Sequence, residues 1–484
     1  MTGFHIPACP AIRGLILLAA AGMSACGGGG GASNTSISST SPAGAAAATV
    51  GNAVATVVAE AVPIPPASPP APPPAPPPAS ATGLSGKLVV GYQGWFGCPG
   101  DFEGNAGWQH WFVNAVSLPA MTFDALPSVR GLNPADLCET GLARSGGGTV
   151  QLFSSQSQGV VTTHFRWMME QGIDGAAVQR FVVELSDAAK RRRTENVLAN
   201  ARVAAEANGR IFYLTYDVSG ANPASVVASI RQDWQRVATD LKITASTAYL
   251  HDGGKPVLQL WGFGFVDHPG EPAEVAALIA DLKAGAAGLP AATVVGGVPS
   301  QWRSLGGDAK PDPAWAAVFR SYDVISPWTV GRFGDEAGAD AFIKNFVEPD
   351  RVETQRLGLR YLPVIFPGFS WHNLMAYLGR PEQGTLNVIP RQCGNFMWRQ
   401  VWNLLNARTD MMYAAMFDEV DEGTALFRVE PAAANLPVGA QMLTLDQDGC
   451  SLPDDWYLRV TGKAASFLHS ASVPPQSLAA VIQP

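Results

Sequence analysis

The sequence carries little charge, and positive charge is the scarcer kind. Among 484 residues there are 32 Lys and Arg against 40 Asp and Glu, so the formal net charge is -8. The one basic run, Lys190–Arg193, falls in a predicted helix. Such a run is more typical of a solvated helix face than of a polyanion site. Nucleic acid is therefore not expected as a partner.

Closely spaced cysteines and paired histidines are also missing, which argues against a zinc site. The sequence has neither a phosphate-binding Gly-Lys-Ser/Thr loop nor a Gly-x-Ser-x-Gly nucleophile motif. We therefore expect no metal and no cofactor. In an oxidising compartment the four later cysteines can form two disulfides, although free thiols are the alternative. Of three pairings we favour Cys98–Cys138 with Cys393–Cys450.

The start of the chain lacks an apolar run long enough to span a membrane, which takes about 20 residues. Arg13, the short apolar stretch Leu15–Met23 and the small residues before Cys26 are typical of an export signal over residues 1–25. The sequence Met23-Ser24-Ala25-Cys26 resembles a bacterial lipobox. It predicts lipidation of Cys26 and a membrane-anchored location in the cell envelope, facing the periplasm or the surface. Ordinary signal cleavage nearby is the alternative.

Residues 26–83 have the composition of a linker. Residues 32–62 are mostly Ala, Ser, Thr and Gly, and residues 63–78 contain eleven prolines. Such a segment buries too little apolar surface to fold, and its proline-rich part is expected to form a stiff spacer of roughly 50 Å. We expect residues 84–484 to form a single domain, and the protein to be a monomer.

Within this domain short β-rich runs alternate with helical stretches, a pattern typical of a parallel sheet with crossover helices. The predicted fold is an α/β (β/α)8 TIM barrel, with one strand candidate too many. The nine candidate strands are Leu88–Gln93, Val150–Ser154, Gly175–Phe181, Ile211–Asp217, Pro256–Trp261, Ala292–Gly297, Asp323–Trp328, Tyr361–Phe366 and Met412–Asp418. Predicted helices include 186–208, 223–241, 271–285, 335–346 and 393–407.

Polar and aromatic residues cluster at or after the carboxyl ends of these strands. In a barrel those ends converge on one face, where binding and catalytic loops assemble. Indole rings stack on the apolar faces of sugars, and hydroxyls need fixed polar partners; several of these tryptophans could instead belong to the core. The candidate substrate-binding residues are Tyr92, Gln93, Trp95, His110, Trp111, Gln179, Arg180, Asp217, Trp261, Trp328 and Trp371.

An acid-rich loop follows the last strand, with Asp418, Glu419, Asp421 and Glu422 within five positions. Gathered carboxyls repel one another, so at least one pKa is expected to rise, as a general acid at neutral pH requires. Glycosidic cleavage uses such a carboxyl pair. The alternatives are a structural calcium site, a solvated turn, or Asp418 as a helix cap.

Two segments resemble glycoside hydrolase family 99. The first is Tyr92–Gly97 with the Trp108–Trp111 segment (Trp-Gln-His-Trp), and the second is Phe417–Thr424. The resemblance implies a (β/α)8 barrel and an endo-acting α-mannosidase or α-mannanase activity. It implies that Glu419 deprotonates the substrate 2-hydroxyl and that Glu422 is the general acid/base. Net retention would then proceed through a 1,2-anhydrosugar.

The sequence departs from that family at two places in the acidic loop. Asp418 stands where the family has Asn, and Val420-Asp421 stands where it has Trp-His. Both glutamates remain, so the expectation is a retaining glycoside hydrolase that cleaves α-linked bonds in a polysaccharide or oligosaccharide. The alternatives are a lipid-anchored carbohydrate-binding protein without catalysis, and a glycosidase for a glucan or for a xylose- or arabinose-containing polymer.

Overall fold

The computed structural model describes residues 76–484. The predicted export signal, Cys26 and most of the predicted linker lie outside the described residues. Within residues 76–484, none of the helices combines the length and the apolar character that crossing a membrane demands.

Twelve strand segments are present in the described residues, and most of them are parallel neighbours in one curved sheet. In chain order they are β1 (Leu88–Tyr92), β2 (Leu137–Ala143), β3 (Thr149–Phe153), β4 (Gly175–Phe181), β5 (Ile211–Asp217), β6 (His251–Asp252), β7 (Lys255–Trp261), β8 (Thr293–Val298), β9 (Val324–Pro327), β10 (Arg360–Tyr361), β11 (Val364–Ile365) and β12 (Met412–Ala414). The order in the main sheet is β10-β9-β8-β7-β5-β4-β1-β12-β11.

The sheet closes on itself because β10 and β11 are two parts of one run of chain. β10 pairs with β9, and β11 pairs with β12. Between them, the Leu362 amide donates to Ile325 (2.8 Å), and the Pro363 carbonyl accepts from Tyr413 (2.9 Å). Proline has no amide hydrogen, which explains why the ladder is interrupted there. Counting β10 and β11 as one strand gives eight parallel strands, and the predicted (β/α)8 barrel is confirmed.

The surplus strand candidate, Val150–Ser154, lies outside the barrel. It corresponds to β3, which forms an antiparallel pair with β2. This excursion precedes β4 and is joined to the loop after β1 by the Cys98–Cys138 disulfide. A second disulfide joins Cys393 to Cys450. Both predicted pairings are confirmed.

Helices follow the barrel strands much as the periodicity predicts. They are α1 (Gln158–Glu170), α2 (Ala188–Asn208), α3 (Val226–Gln235), α4 (Pro272–Ala284), α5 (Ala314–Phe319), α6 (Glu336–Phe342), α7 (Glu348–Leu357), α8 (His372–Tyr377), α9 (Asn395–Asn406) and α10 (Trp456–His469). Wider turns at 236–240 and 343–347 extend α3 and α6. Asp187 caps α2 by accepting from the amides of Ala189 and Lys190.

The last residues of the predicted linker, 79–83, lie against the amino-terminal end of the barrel. The Ala79 amide donates to Gly209 (2.9 Å), and Ala81 and Gly83 bond to His251 (both 2.8 Å). Gly209 and His251 precede or begin strands, so the chain enters at the end opposite the strand carboxyl termini. The domain boundaries after residues 25 and 83 stay predictions.

Candidate active site

A small cavity lies at the carboxyl ends of the barrel strands. Six strands or the loops directly after them contribute to its wall: β1, β4, β5, β7, β9 and β12. The lining residues are Gln93, Trp95, Gln179, Phe181, Asp217, Trp261, Trp328, Glu419, Asp421 and Glu422. Both predicted catalytic glutamates and six of the predicted binding residues therefore share one cavity.

Asp418 ties the acidic loop to the first strand. Its two carboxylate oxygens accept the amides of Gln93 (2.8 Å) and Gly94 (2.9 Å), which follow β1. The side chain is fully buried, and burial raises its pKa to about 7. The two amides reach different oxygens, and an asparagine in this place would offer an NH2 group, which cannot accept, at one of the two positions. Asp418 is therefore a structural link and not a helix cap.

Glu419 is held by two hydrogen-bond donors. Gln93 donates through Nε2 to Oε1 (2.8 Å), and the Thr424 hydroxyl donates to Oε2 (3.1 Å). Burial raises its pKa well above the usual value, and the charges of Glu422 and Asp421 add to the rise. The two donors oppose it because they stabilise the ionised form.

Glu422 is partly exposed and receives less help. Burial, with the charges of the neighbouring Asp421 and Asp217, raises its pKa to about 8, and Arg332 opposes this rise. No donor within residues 76–484 forms a hydrogen bond with the carboxyl group of Glu422, whereas that of Glu419 has two donors. The two hydrogen-bond donors favour the ionised form of Glu419, and Glu422 lacks such donors, while burial and neighbouring charge favour the protonated form of both glutamates.

The acidic loop keeps its shape through backbone contacts with its surroundings. Ser370 donates its amide to the Glu422 carbonyl (2.8 Å), and Asp124 donates its amide to the Val420 carbonyl (2.9 Å). The buried Arg391 donates to the carbonyls of Gly423 (2.7 Å) and Ala425. These bonds fix the direction in which the two glutamates point.

Aromatic rings form the rest of the wall. Trp95 lies between His110 (ring centroids 4.2 Å apart) and Phe181 (5.2 Å) in a continuous stack. Trp261 and Trp328 meet edge to face at 5.2 Å. The indole nitrogens of Trp95 and Trp261 are buried and have no acceptor among the described residues. This cavity combines flat apolar faces with free polar atoms, which is the surface that a sugar ring requires.

His110 contacts the aromatic wall on the side that faces away from the cavity. It stacks on Trp95, and its Nδ1 lies 3.8 Å from Asp421 Oδ2. Burial, with a smaller contribution from Arg193, lowers its pKa to about 3, so the imidazole is neutral at physiological pH. It supports Trp95 and does not line the cavity.

The structure corrects the expected placement of Tyr92 and Arg180. Side chains alternate between the two faces of a strand, so the neighbours of Gln93, Gln179 and Phe181 point away from the cavity. The Tyr92 hydroxyl lies 3.0 Å from His164 of α1. Arg180 is fully buried against α3, where it forms a two-pronged ion pair with Asp233.

Trp111 and Trp371 also lie outside the cavity. Trp111 is fully buried, stacks on Phe96 and donates to the Phe153 carbonyl (2.9 Å), so it belongs to the core. Trp371 packs with Leu374 and Met375 in a separate small cluster and donates to Gln383. The core alternative, which the sequence left open for these tryptophans, holds for Trp111.

Sequence reasoning did not assign a role to Phe181 or Asp421. Phe181 could have been found because side chains two residues apart on a strand lie on the same face, and Gln179 precedes it by two positions. Asp421 stands between the two glutamates, and its importance depends on a turn that no local pattern specifies. Among residues 76–484, no group of three or more His, Cys, Asp or Glu side chains is arranged to hold a metal ion.

Comparisons with known proteins support the fold. No model of a protein family matches the sequence, and no curated protein matches it. Two structures of the GH99 endo-alpha-mannosidase from Bacteroides thetaiotaomicron are similar, one of them in complex with BIS-TRIS-propane. The complex has a TM-score of 0.55 at 15% identity and covers 80% of this chain and 98% of that one. The second has a TM-score of 0.54 at 14% identity, covering 80% and 99%. The expected resemblance to family 99 is thus present in the fold.

Replacing Arg180 by Ala is expected to destabilise the protein by about 3–5 kcal/mol, because Asp233 would stay buried without its partner. Urea unfolding measures this loss. Arg202→Ala removes an exposed ion pair with Glu206 on α2 and should change stability little. Unchanged stability of the Arg180 variant, together with weakened sugar binding, would return Arg180 to the binding site.

Proposed function

We propose that this protein is a glycoside hydrolase that cleaves α-linked glycosidic bonds in a polysaccharide with net retention. The observation that carries the proposal is the shared cavity of Glu419 and Glu422, bounded by Trp95, Trp261 and Trp328. Carboxyls of unequal surroundings beside stacking rings are what acid/base cleavage of a sugar requires. The fold neighbour, an endo-alpha-mannosidase, supports α-mannosides as one substrate class.

In the proposed reaction Glu422 begins protonated and gives its proton to the departing glycosidic oxygen. Glu419 begins ionised, held by Gln93 and Thr424, and removes the proton of the sugar 2-hydroxyl. The freed oxygen attacks the anomeric carbon as its bond to the leaving group breaks, giving a 1,2-anhydrosugar. Water then opens this ring with Glu422 as base, while Glu419 returns its proton to the 2-oxygen.

A second candidate is a carbohydrate-binding protein without catalysis. It is motivated by Val420-Asp421, which replaces the Trp-His of family 99, and by the indole-lined wall, which serves binding equally well. A glycosidase for another sugar is compatible with the same cavity. The two classes differ in whether products form.

Replacing Glu422 or Glu419 by Gln should lower kcat on a cleaved polysaccharide by about 10²- to 10⁴-fold, because each variant removes one proton-transfer group. Chromatography of products from a panel of α-linked polysaccharides measures turnover, and calorimetry measures binding. Glu274→Gln, on the exposed face of α4, is the matched control. Retained turnover in Glu422→Gln would refute its role, and binding without cleavage by the unmodified protein would favour the capture function.

The pH profile follows from the pKa of Glu422, which is raised to about 8. A general acid works while protonated, so kcat/KM should fall as pH rises through about 8. Because Asp421 raises that pKa, Asp421→Asn should move this limb to lower pH. If the pH at which kcat/KM falls does not change in the variant, Asp421 does not raise the pKa of Glu422. If the fall disappears, the titrating group is Asp421 itself.

We further propose that the protein is exported and held in the cell envelope by a lipid on Cys26. The two disulfides support export, since disulfides persist in oxidising compartments. Cys26→Ser should shift the protein from the membrane fraction to the soluble envelope fraction and abolish incorporation of labelled palmitate. Cys9→Ser is the control and should leave both unchanged; a labelled Cys26→Ser variant would disprove the anchor.

A further inference from the structure

The cavity has more hydrogen-bond acceptors than the protein itself satisfies. Asp217, Glu419, Asp421 and Glu422 all line it. Asp421 is only 1% exposed, and neither of its carboxylate oxygens has a hydrogen-bond partner within residues 76–484. A buried acceptor in this state is costly unless a ligand provides a donor.

Neutral acceptors from other strands point into the same space. The side-chain oxygens of Gln93 and Gln179 are buried, line the cavity, and accept no hydrogen bond from the described part of the chain. Both residues are less than a tenth exposed. These two amides lie outside the acidic loop, since Gln179 belongs to β4 and Gln93 directly follows β1. Among the described residues that line the cavity, these unpaired buried acceptor atoms outnumber the unpaired buried donors, which are the indole nitrogens of Trp95 and Trp261. The cavity therefore favours a ligand with several hydrogen-bond donors.

Within the described residues, the basic side chains near these acids are either paired with another carboxylate or uncharged. Arg332 lies near Glu422, but its guanidinium is paired with the buried Asp308 (2.6 Å). His110 faces Asp421 at 3.8 Å, but its pKa of about 3 leaves it neutral. Burial raises the pKa of Asp421 to about 8, as expected for a carboxylate without a cation beside it.

Two groups on a sugar can supply donors, and they differ in charge. A hydroxyl supplies one donor, whereas a protonated amine supplies three donors and a positive charge. Hydrogen bonds between charged partners are about twice as strong as neutral ones. An N-acetyl group would remove the charge and two of the donors. The cavity chemistry therefore favours a free amine beside Asp421.

We propose that the sugar bound beside Asp421 carries a free amino group, so that the substrate is a glycan containing N-unsubstituted hexosamine. The proposal rests on the proposed glycosidase function and names its substrate class. Asp421 binds the ammonium group together with the amide oxygens of Gln93 and Gln179. Glu419 and Glu422 keep the roles already given to them.

The test compares matched oligosaccharides with the full-length protein. An α-linked oligomer of galactosamine or glucosamine with free amines is assayed beside the same oligomer after chemical N-acetylation, and beside an α-mannan oligosaccharide of equal length. The free-amine form should be favoured in kcat/KM and in binding by about ten- to a hundredfold, the range expected for one charged hydrogen bond.

Asp421→Asn should reduce this preference toward unity because it removes the charge with little change in shape. Asp410→Asn is the matched control, since Asp410 is exposed and precedes β12, at the opposite end of the barrel. The preference should persist in that variant. An equal loss for both oligomers in Asp421→Asn would overturn the assignment of the ammonium to this residue.

The remaining outcomes separate this inference from the proposed function. Cleavage of α-mannan or of the acetylated oligomer with a kcat/KM equal to or above that for the free-amine form would overturn the inference and leave the glycosidase intact. Calorimetric binding of the free-amine oligomer without any cleavage would support the ammonium subsite and overturn the catalytic proposal. Neither binding nor cleavage of any oligomer would overturn both.

Discussion

The arrangement of the site depends on one carboxylate, that of Asp418, bonded to two consecutive backbone amides. Through them it joins the loop after β12 to the loop after β1, which are neighbours only because the barrel closes. Gln93, whose amide is one of the two, also donates its side chain to Glu419. The same few atoms therefore hold the last strand against the first and set the position of a proposed catalytic group. A change that breaks these contacts would therefore affect both the closure of the barrel and the position of Glu419.

The second constraint is electrostatic. Asp217, Asp418, Asp421 and Glu422 are each raised in pKa, chiefly because burial penalises their charged forms. The protein relieves this differently at each position: backbone amides for Asp418, side-chain donors for Glu419, and no donor from the described residues for Asp421. These differences separate the groups into a structural link, a candidate base and a candidate ligand contact. Side chains with the same carboxyl group thus differ in role because their hydrogen-bond partners differ.

Much of the fold followed from sequence periodicity, and much of the site did not. Strand and helix positions were predictable because buried parallel strands and amphipathic helices have strong local patterns; the surplus β3 could not be excluded because a strand looks alike inside or outside a barrel. Gln179 and Asp217 were found because they end strands. Arg180 and Tyr92 were misplaced because adjacent strand residues were assigned to one face, which the alternation of side chains forbids. Trp111 and Trp371 were misplaced because burial by distant segments leaves no mark in the local sequence.

The two disulfides lie at the end of the barrel that carries the cavity, one closing the excursion between β1 and β4 and the other linking the segment before α9 to the chain after β12. They span 40 and 57 residues, so each removes about 4 kcal/mol of chain entropy from the denatured ensemble. The parallel barrel itself contains neither crosslink. Protein synthesised in a reducing cytosol would thus keep the barrel and the hydrogen bonds around the cavity but would lack both covalent links at that end. The stability of the cavity end would therefore depend on whether a preparation of the protein has been oxidised.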